Sequence, residues 1–173
     1  LIIGGSRFVG RQLAHRLVLR GDRVTLLNRG TLDDGLGARV ERLVADRATD
    51  AFDAALHGRT FDAIVDFALY TGAEAERAAR VLRGRTAHLV AISTGQVYLV
   101  RVDAEGRRLP GPFRLEHYEG PTMPRPEDPR DHPQWAYGMG KREVEDVLAR
   151  APGLPATRLR VPMLHGPGDP DRR

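Results

Sequence analysis

The 173-residue sequence predicts an α/β domain built on a doubly wound parallel sheet. Short apolar runs that read as buried strands alternate with stretches of helical period. The first run ends in glycines that turn directly into a helix. The same alternation continues until the chain is nearly spent, and one long stretch interrupts it.

Leu1–Ile3 reads as a strand end, and Phe8–Arg20 as a helix with Phe8, Val9, Leu13, Leu17 and Val18 on one face. Gly21-Asp22 breaks that helix, and Arg23–Leu27 forms the second strand. After a loop carrying Gly30, Gly35 and Gly37, Val40–Ala45 is a third strand and Ala51–Leu56 a short helix. Phe61–Leu69, Ala73–Leu82 and Ala87–Ser93 continue as strand, helix and strand. Tyr137–Ala149 is a helix with Val144, Val147 and Leu148 inward, and Thr157–Leu164 a sixth strand. Handedness and the usual strand order then give a Rossmann-type domain. Residues 99–133 are rich in Pro, Gly and charge without a period, and read as a lid-like insertion.

A composition 41% hydrophobic and 29% charged suits a globular core. No apolar run is long enough to span a bilayer, and no basic-then-apolar leader is visible. Cysteine is absent, which excludes thiolate chemistry and fits a cytoplasmic setting. The six histidines lack metal spacing, so no metal is expected. Leu1 and the polar tail Gly166–Arg173 look cut, so the chain is expected to be most of one domain from a longer protein. The net charge is +4 with both signs interspersed, which does not favour a nucleic-acid tail. Of 27 basic residues only Lys141 is lysine, which marks a position where arginine would not serve.

The turn Gly4-Gly5-Ser6-Arg7-Phe8-Val9-Gly10 between strand and helix is suited to a pyrophosphate. Gly4 permits the bend and Gly10 lets the helix approach the sheet. The free N–H groups of the first helical turn face the anion together with the helix dipole. At the end of strand two an acidic residue would hold the adenosine ribose; Asn28-Arg29 stands there instead. Arg29 can pair with a 2′-phosphate, which favours NADP over NAD, or it is an exposed surface arginine. Asp46 can accept from an adenine amino group, or it caps the following helix.

Tyr137 and Lys141 lie four apart on one helix face. A lysine ammonium stabilises a phenolate and is expected to bring the Tyr137 pKa down, making it an acid/base for a hydroxyl proton. Ser93-Thr94 ends strand five, at the sheet edge where open α/β sheets bind ligands; a hydroxyl there can hold a carbonyl or alkoxide.

These motifs resemble the short-chain dehydrogenase/reductase superfamily, and within it the extended branch that contains the NAD-dependent epimerase/dehydratase family. The stretches are GGSRFVG at 4–10, STGQVY at 93–98, YGMGK at 137–141 and LHGPGD at 164–169. The resemblance implies a catalytic Thr94, Tyr137 and Lys141 and a cofactor held by Gly4, Ser6, Arg7, Phe8, Val9, Asn28, Arg29, Asp46, Arg47, Phe67, Ala68, Ser93 and Pro162 as well as Tyr137 and Lys141. It further implies hydride transfer on a sugar-like alcohol or carbonyl, a homodimer, and a C-terminal substrate domain largely missing from this chain. Arg7 stands in place of the family's middle glycine, and Gly95-Gln96 in place of the Asp-Glu that eliminates water in the 4,6-dehydratases. Met163 stands where many nucleotide-sugar enzymes carry Asn. The Asn28-Arg29-Gly30 stretch also resembles a branch of plastid RNA-binding proteins, so an RNA-binding or redox-sensing relative without turnover is the alternative.

Overall fold

The computed structural model describes residues 1–169; the tail end Pro170–Arg173, which the sequence reading placed in a polar loop, lies outside them. The strands are β1 (Ile2–Ile3), β2 (Thr25–Asn28), β3 (Glu41–Val44), β4 (Ile64–Asp66), β5 (Leu89–Thr94) and β6 (Ala156–Val161). They pair in parallel in the order β3-β2-β1-β4-β5-β6. The order reverses between β1 and β4, so their carboxyl ends open a crevice there. The helices are α1 (Phe8–Arg20), α2 (Asp50–Leu56), α3 (Gly72–Leu82), α4 (Gln96–Leu99) and α5 (His132–Arg150).

Alternate residues of β1 serve opposite faces of the sheet. Ile2 packs with Leu26 and Ala14 under α1, while Ile3 joins Leu27, Phe52, Ala78 and Val144 under α2, α3 and α5. Both clusters are buried, which defines the double winding. Among the described residues no helix is long and apolar enough to cross a membrane.

Four elements depart from the sequence reading. Strand β4 is shorter than Phe61–Leu69 because the Asp66 carboxylate accepts the Ala68 N–H at 2.8 Å and curls the chain out of the sheet. Phe61 keeps only an isolated bridge to Thr86. Helix α5 begins five residues before Tyr137, at His132, because Pro133 sits in its first turn, where a missing N–H costs nothing. Strand β6 stops at Val161, short of Leu164.

The fourth departure is the 99–133 stretch. The sequence showed no period in it, yet it is tied down. Arg101 bridges Thr122, and the Asp103 carboxylate gathers the N–H groups of Glu105 and Arg107 into a tight turn. Trp135 donates its indole N–H to Met123 from α5. Tyr118 lies under the Arg142 and Arg160 guanidinium groups, 4.0 and 4.2 Å from its ring centre. Its anchors are isolated backbone bridges and polar side-chain bonds, so a hydrophobic period could not reveal them.

Candidate active site

The carboxyl ends of β1, β2, β3 and β4 line a cleft of about 700 Å³. Its wall includes Gly4, Ser6, Arg7, Phe8, Val9, Asn28, Arg29, Asp46, Arg47, Phe67 and Ala68, which are the residues expected from the first two-fifths of the chain. Gly4 bends at φ +83°, which favours glycine. A Cβ on Gly10 would lie 2.8 Å from the Gly4 carbonyl oxygen, so only glycine allows α1 this close to the turn. Phe8 opens α1 at φ +38°, a sparsely populated region for a side-chain-bearing residue. No side chain caps α1, so its first N–H groups are left to face the cleft.

Asn28 ties β2 to the glycine turn: its amide donates to the Ser6 hydroxyl at 2.7 Å and its carbonyl oxygen accepts from Gly30 N–H at 2.7 Å. Arg7 and Arg29 are exposed at the cleft, and neither has an ion-pair partner among the described residues. An uncapped helix start, a glycine cradle and two free guanidinium groups suit a dinucleotide's phosphates. Among the described residues no cluster of His, Asp or Glu could hold a metal ion.

Four expected site residues do other work. Asp46 does not cap α2; Thr49 occupies the N-cap, and the Asp46 carboxylate closes a turn onto Ala48 N–H at 2.9 Å. Arg47 lines the cleft, but its guanidinium forms a two-pronged ion pair with buried Asp66 at 2.7 and 3.0 Å, so it is not free for adenine. Asp66 offsets the burial that works against the Arg47 charge and holds its pKa above the usual value. Ser93 is buried and donates its hydroxyl to Glu145 at 2.5 Å; only its backbone is available to a cofactor. Pro162 is exposed just beyond β6 and, like Ser93, Thr94, Tyr137 and Lys141, is not among the residues that line the cleft.

Thr94, Tyr137 and Lys141 converge at the end of β5. The Thr94 side chain faces the Tyr137 phenol closely enough to favour its ionised form, and its oxygen accepts from Gln96 N–H at 3.2 Å. Lys141 is buried, with its ammonium donating to the Ile92 carbonyl at 2.8 Å and lying 5.8 Å from the Tyr137 ring centre. The glycines around Tyr137 are steric. A Cβ on Gly138 would meet Val100 at 2.7 Å, and one on Gly140 would collide with the Tyr70 carbonyl.

Without a cofactor's positive charge, the electrostatics differ from the expectation that Lys141 helps bring the phenol down. Burial pushes the Tyr137 pKa up, the Thr94 hydroxyl opposes this, and Tyr70 adds to the rise. Burial also pulls the Lys141 ammonium down to about 8, against the raising influence of Asp66 and Glu74. Desolvation outweighs the pair interaction at this separation.

Three contributors were missed by sequence reasoning. Glu145 is buried four residues after Lys141, ion-paired to Arg160 at 2.6 Å. The spacing Tyr137, Lys141, Glu145 on one helix face was a readable signal. Asp66 anchors Arg47, and Tyr70 reaches the cleft from the β4–α3 loop. Neither carried a motif.

The fold and this crevice define a dinucleotide-binding domain of the Rossmann class. The chain belongs to the NAD dependent epimerase/dehydratase family, whose model matches residues 1–173. Among solved structures it is similar to the Bordetella bronchiseptica enzyme WbmH in complex with NAD+, at 19% identity and a TM-score of 0.71, covering 98% of this chain and 57% of that one. It is similar to a short-chain dehydrogenase/reductase superfamily protein from Agrobacterium tumefaciens with bound NAD, at 19% identity and TM-score 0.67, over 92% and 47% of the two chains. A third is the UDP-glucuronic acid 4-epimerase from Bacillus cereus in complex with UDP-glucuronic acid and NAD, at 15% identity and TM-score 0.64, over 92% and 55%. The chain thus spans about half the length of these structures. No curated protein matches it.

Proposed function

We propose that this domain binds a nicotinamide dinucleotide in the cleft and serves an epimerase or reductase acting on a sugar-like alcohol or carbonyl, nucleotide sugars included. The observation that carries the reading is the convergence of Thr94, Tyr137 and Lys141 on the β5 end, beside a cleft lined by the β1–α1 turn. When bound, the cofactor supplies hydride acceptance and return, and its oxidised ring adds positive charge near Tyr137.

Tyr137 gives a proton to the substrate oxygen as a carbonyl is reduced and takes one from the hydroxyl as an alcohol is oxidised. Its upward-shifted phenol suits the acid role, and positive charge beside it draws it toward the base role. Thr94 hydrogen-bonds the same substrate oxygen and orients Tyr137. Lys141 supplies a fixed donor and charge at the cofactor's ribose. No carboxylate pair follows Thr94, where Gly95-Gln96 stand, so these residues support redox steps rather than loss of water.

Arg29 favours NADP: it is free at the end of β2, where a 2′-phosphate would lie. The structures named above hold NAD, and the discriminating observation is Arg29 itself. A homodimer through α3 and α5, which pack side by side, and a cytoplasmic setting complete the reading; sedimentation of the full protein tests the first.

The test is turnover. The full protein is incubated with either cofactor and a panel of secondary alcohols, ketones and nucleotide sugars, with nicotinamide absorbance and product epimers as readouts. Tyr137→Phe should lower turnover by about 100-fold or more. Turnover unchanged in that variant contradicts the assignment.

A further inference from the structure

We propose that Tyr70 is a positioning residue for Lys141: its ring, which lines the cleft, and that of Tyr137 clamp the ammonium between them. This deepens the reading of Lys141 given above and rests on it for its functional meaning.

The ammonium lies 4.9 Å from the Tyr70 ring centre, closer than the 5.8 Å to Tyr137. Both fall within the roughly 6 Å over which a cation is attracted to an aromatic face. The rings themselves stand 6.4 Å apart and are tilted by 45°. An ammonium has three N–H donors. Its hydrogen-bond acceptor among the described residues is the Ile92 carbonyl, which leaves the ring faces to stabilise the rest of the charge.

The nearby carboxylates are already engaged. Asp66 is paired with Arg47, Glu145 with Arg160, and Glu74 accepts the backbone N–H groups of Tyr70 and Thr71 at 2.7 and 3.0 Å. Lys141 therefore sits in a buried position with π faces where a counter-ion would otherwise be expected. The other titratable groups that act on it are Arg47, which opposes its charge, and the two tyrosines.

The main chain of Tyr70 is fixed on both sides. Its N–H is held by Glu74, and its carbonyl lies against Gly140, where no Cβ could fit. Gly140 directly precedes Lys141, so the contact sets helix α5 against the β4–α3 loop at the position that matters. Tyr70 nonetheless remains 51% exposed as a residue and lines the cleft. A ring held there by its backbone, half open to a cleft and nearer the lysine's charge than the Tyr137 ring, is placed to hold that charge for an incoming ligand.

The test uses the lone lysine of these 173 residues. Lysine labelled with ¹³C at Cε gives a Lys141 resonance, assigned by its loss in Lys141→Arg, and its titration is followed by NMR without any cofactor. Tyr70→Phe keeps the aromatic face and should leave the midpoint in place. Tyr70→Ala admits water to the ammonium and should raise the midpoint by about one unit, within the range that partial desolvation produces. Tyr70→Leu keeps apolar cover without a π face and should lower it, and carries the test if the alanine variant does not fold. Midpoints unmoved in the folded Ala and Leu variants, or a Phe variant shifted as far as they are, overturn the clamp. Because no cofactor is present, failure of cofactor binding would sink the functional reading and leave this measurement standing, and the reverse holds equally.

Discussion

Glu145→Ala isolates the interaction that joins β5, α5 and β6 behind the proposed catalytic group. Glu145 is 1% exposed and receives Arg160 at 2.6 and 3.0 Å as well as the Ser93 hydroxyl at 2.5 Å. Removing one partner of a buried pair leaves an uncompensated charge and costs about 3–5 kcal/mol. The lower end applies here, because the Arg160 side chain is 17% exposed and keeps the Tyr98 hydroxyl and the faces of Tyr98 and Tyr118. At roughly 2–4 °C per kcal/mol for a domain of this size, a loss of about 3 kcal/mol lowers Tm by about 6–12 °C. Differential scanning calorimetry of the full protein at neutral pH measures it. The double variant Glu145→Ala with Arg160→Met should recover part of the loss, since no unpaired charge is left. A fall in Tm under about 2 °C would refute the claim that this pair is a structural staple.

Other substitutions probe other parts of the site. Gly10→Ala places a methyl 2.8 Å from the Gly4 carbonyl and 3.1 Å from Gly5 Cα; it should cost about 1–2 kcal/mol in denaturant unfolding, net of the helix propensity gained, and should weaken cofactor binding. Arg29→Ala should lower NADPH affinity about tenfold, as expected for a lost charge-assisted bond, and leave NADH affinity unchanged in parallel titrations. Lys141 titrates near 8 in the folded protein against 10.5 when unperturbed. The unfolded chain binds the extra proton between those values, so the cost of burying the charge is fully present below about pH 8. The native state then gains stability as pH rises through that window. Relative to Lys141→Met, the unsubstituted protein should gain up to about 3 kcal/mol from pH 8 to 10.5, read from urea midpoints.

The parts legible in the sequence were those governed by local rules. The period of Phe8–Arg20 and the glycine turn predicted α1 with matching bounds, and the alternation of strands and helices predicted the sheet. Tyr137 and Lys141 could be paired because four residues make one helix face. What escaped was set by contacts between distant residues. Nothing local says that Arg47 will turn to Asp66 rather than to the cleft, or that Ser93 will point at Glu145. Asp66 cuts β4 short through a bond to Ala68 that hydropathy does not record. Tyr70 sits in a loop with no motif, and only the fold brings its ring to Lys141.

The central claim is that the cleft takes a nicotinamide dinucleotide and presents it to Lys141. Titration of the full protein with NADPH and NADH, following nicotinamide fluorescence beside Lys141→Ala, tests it most directly. Saturable binding, with NADPH the tighter ligand and affinity reduced in the variant, is the expected result. Absence of binding by either cofactor would contradict the claim and direct attention to RNA, whose binding should then weaken steeply with added salt.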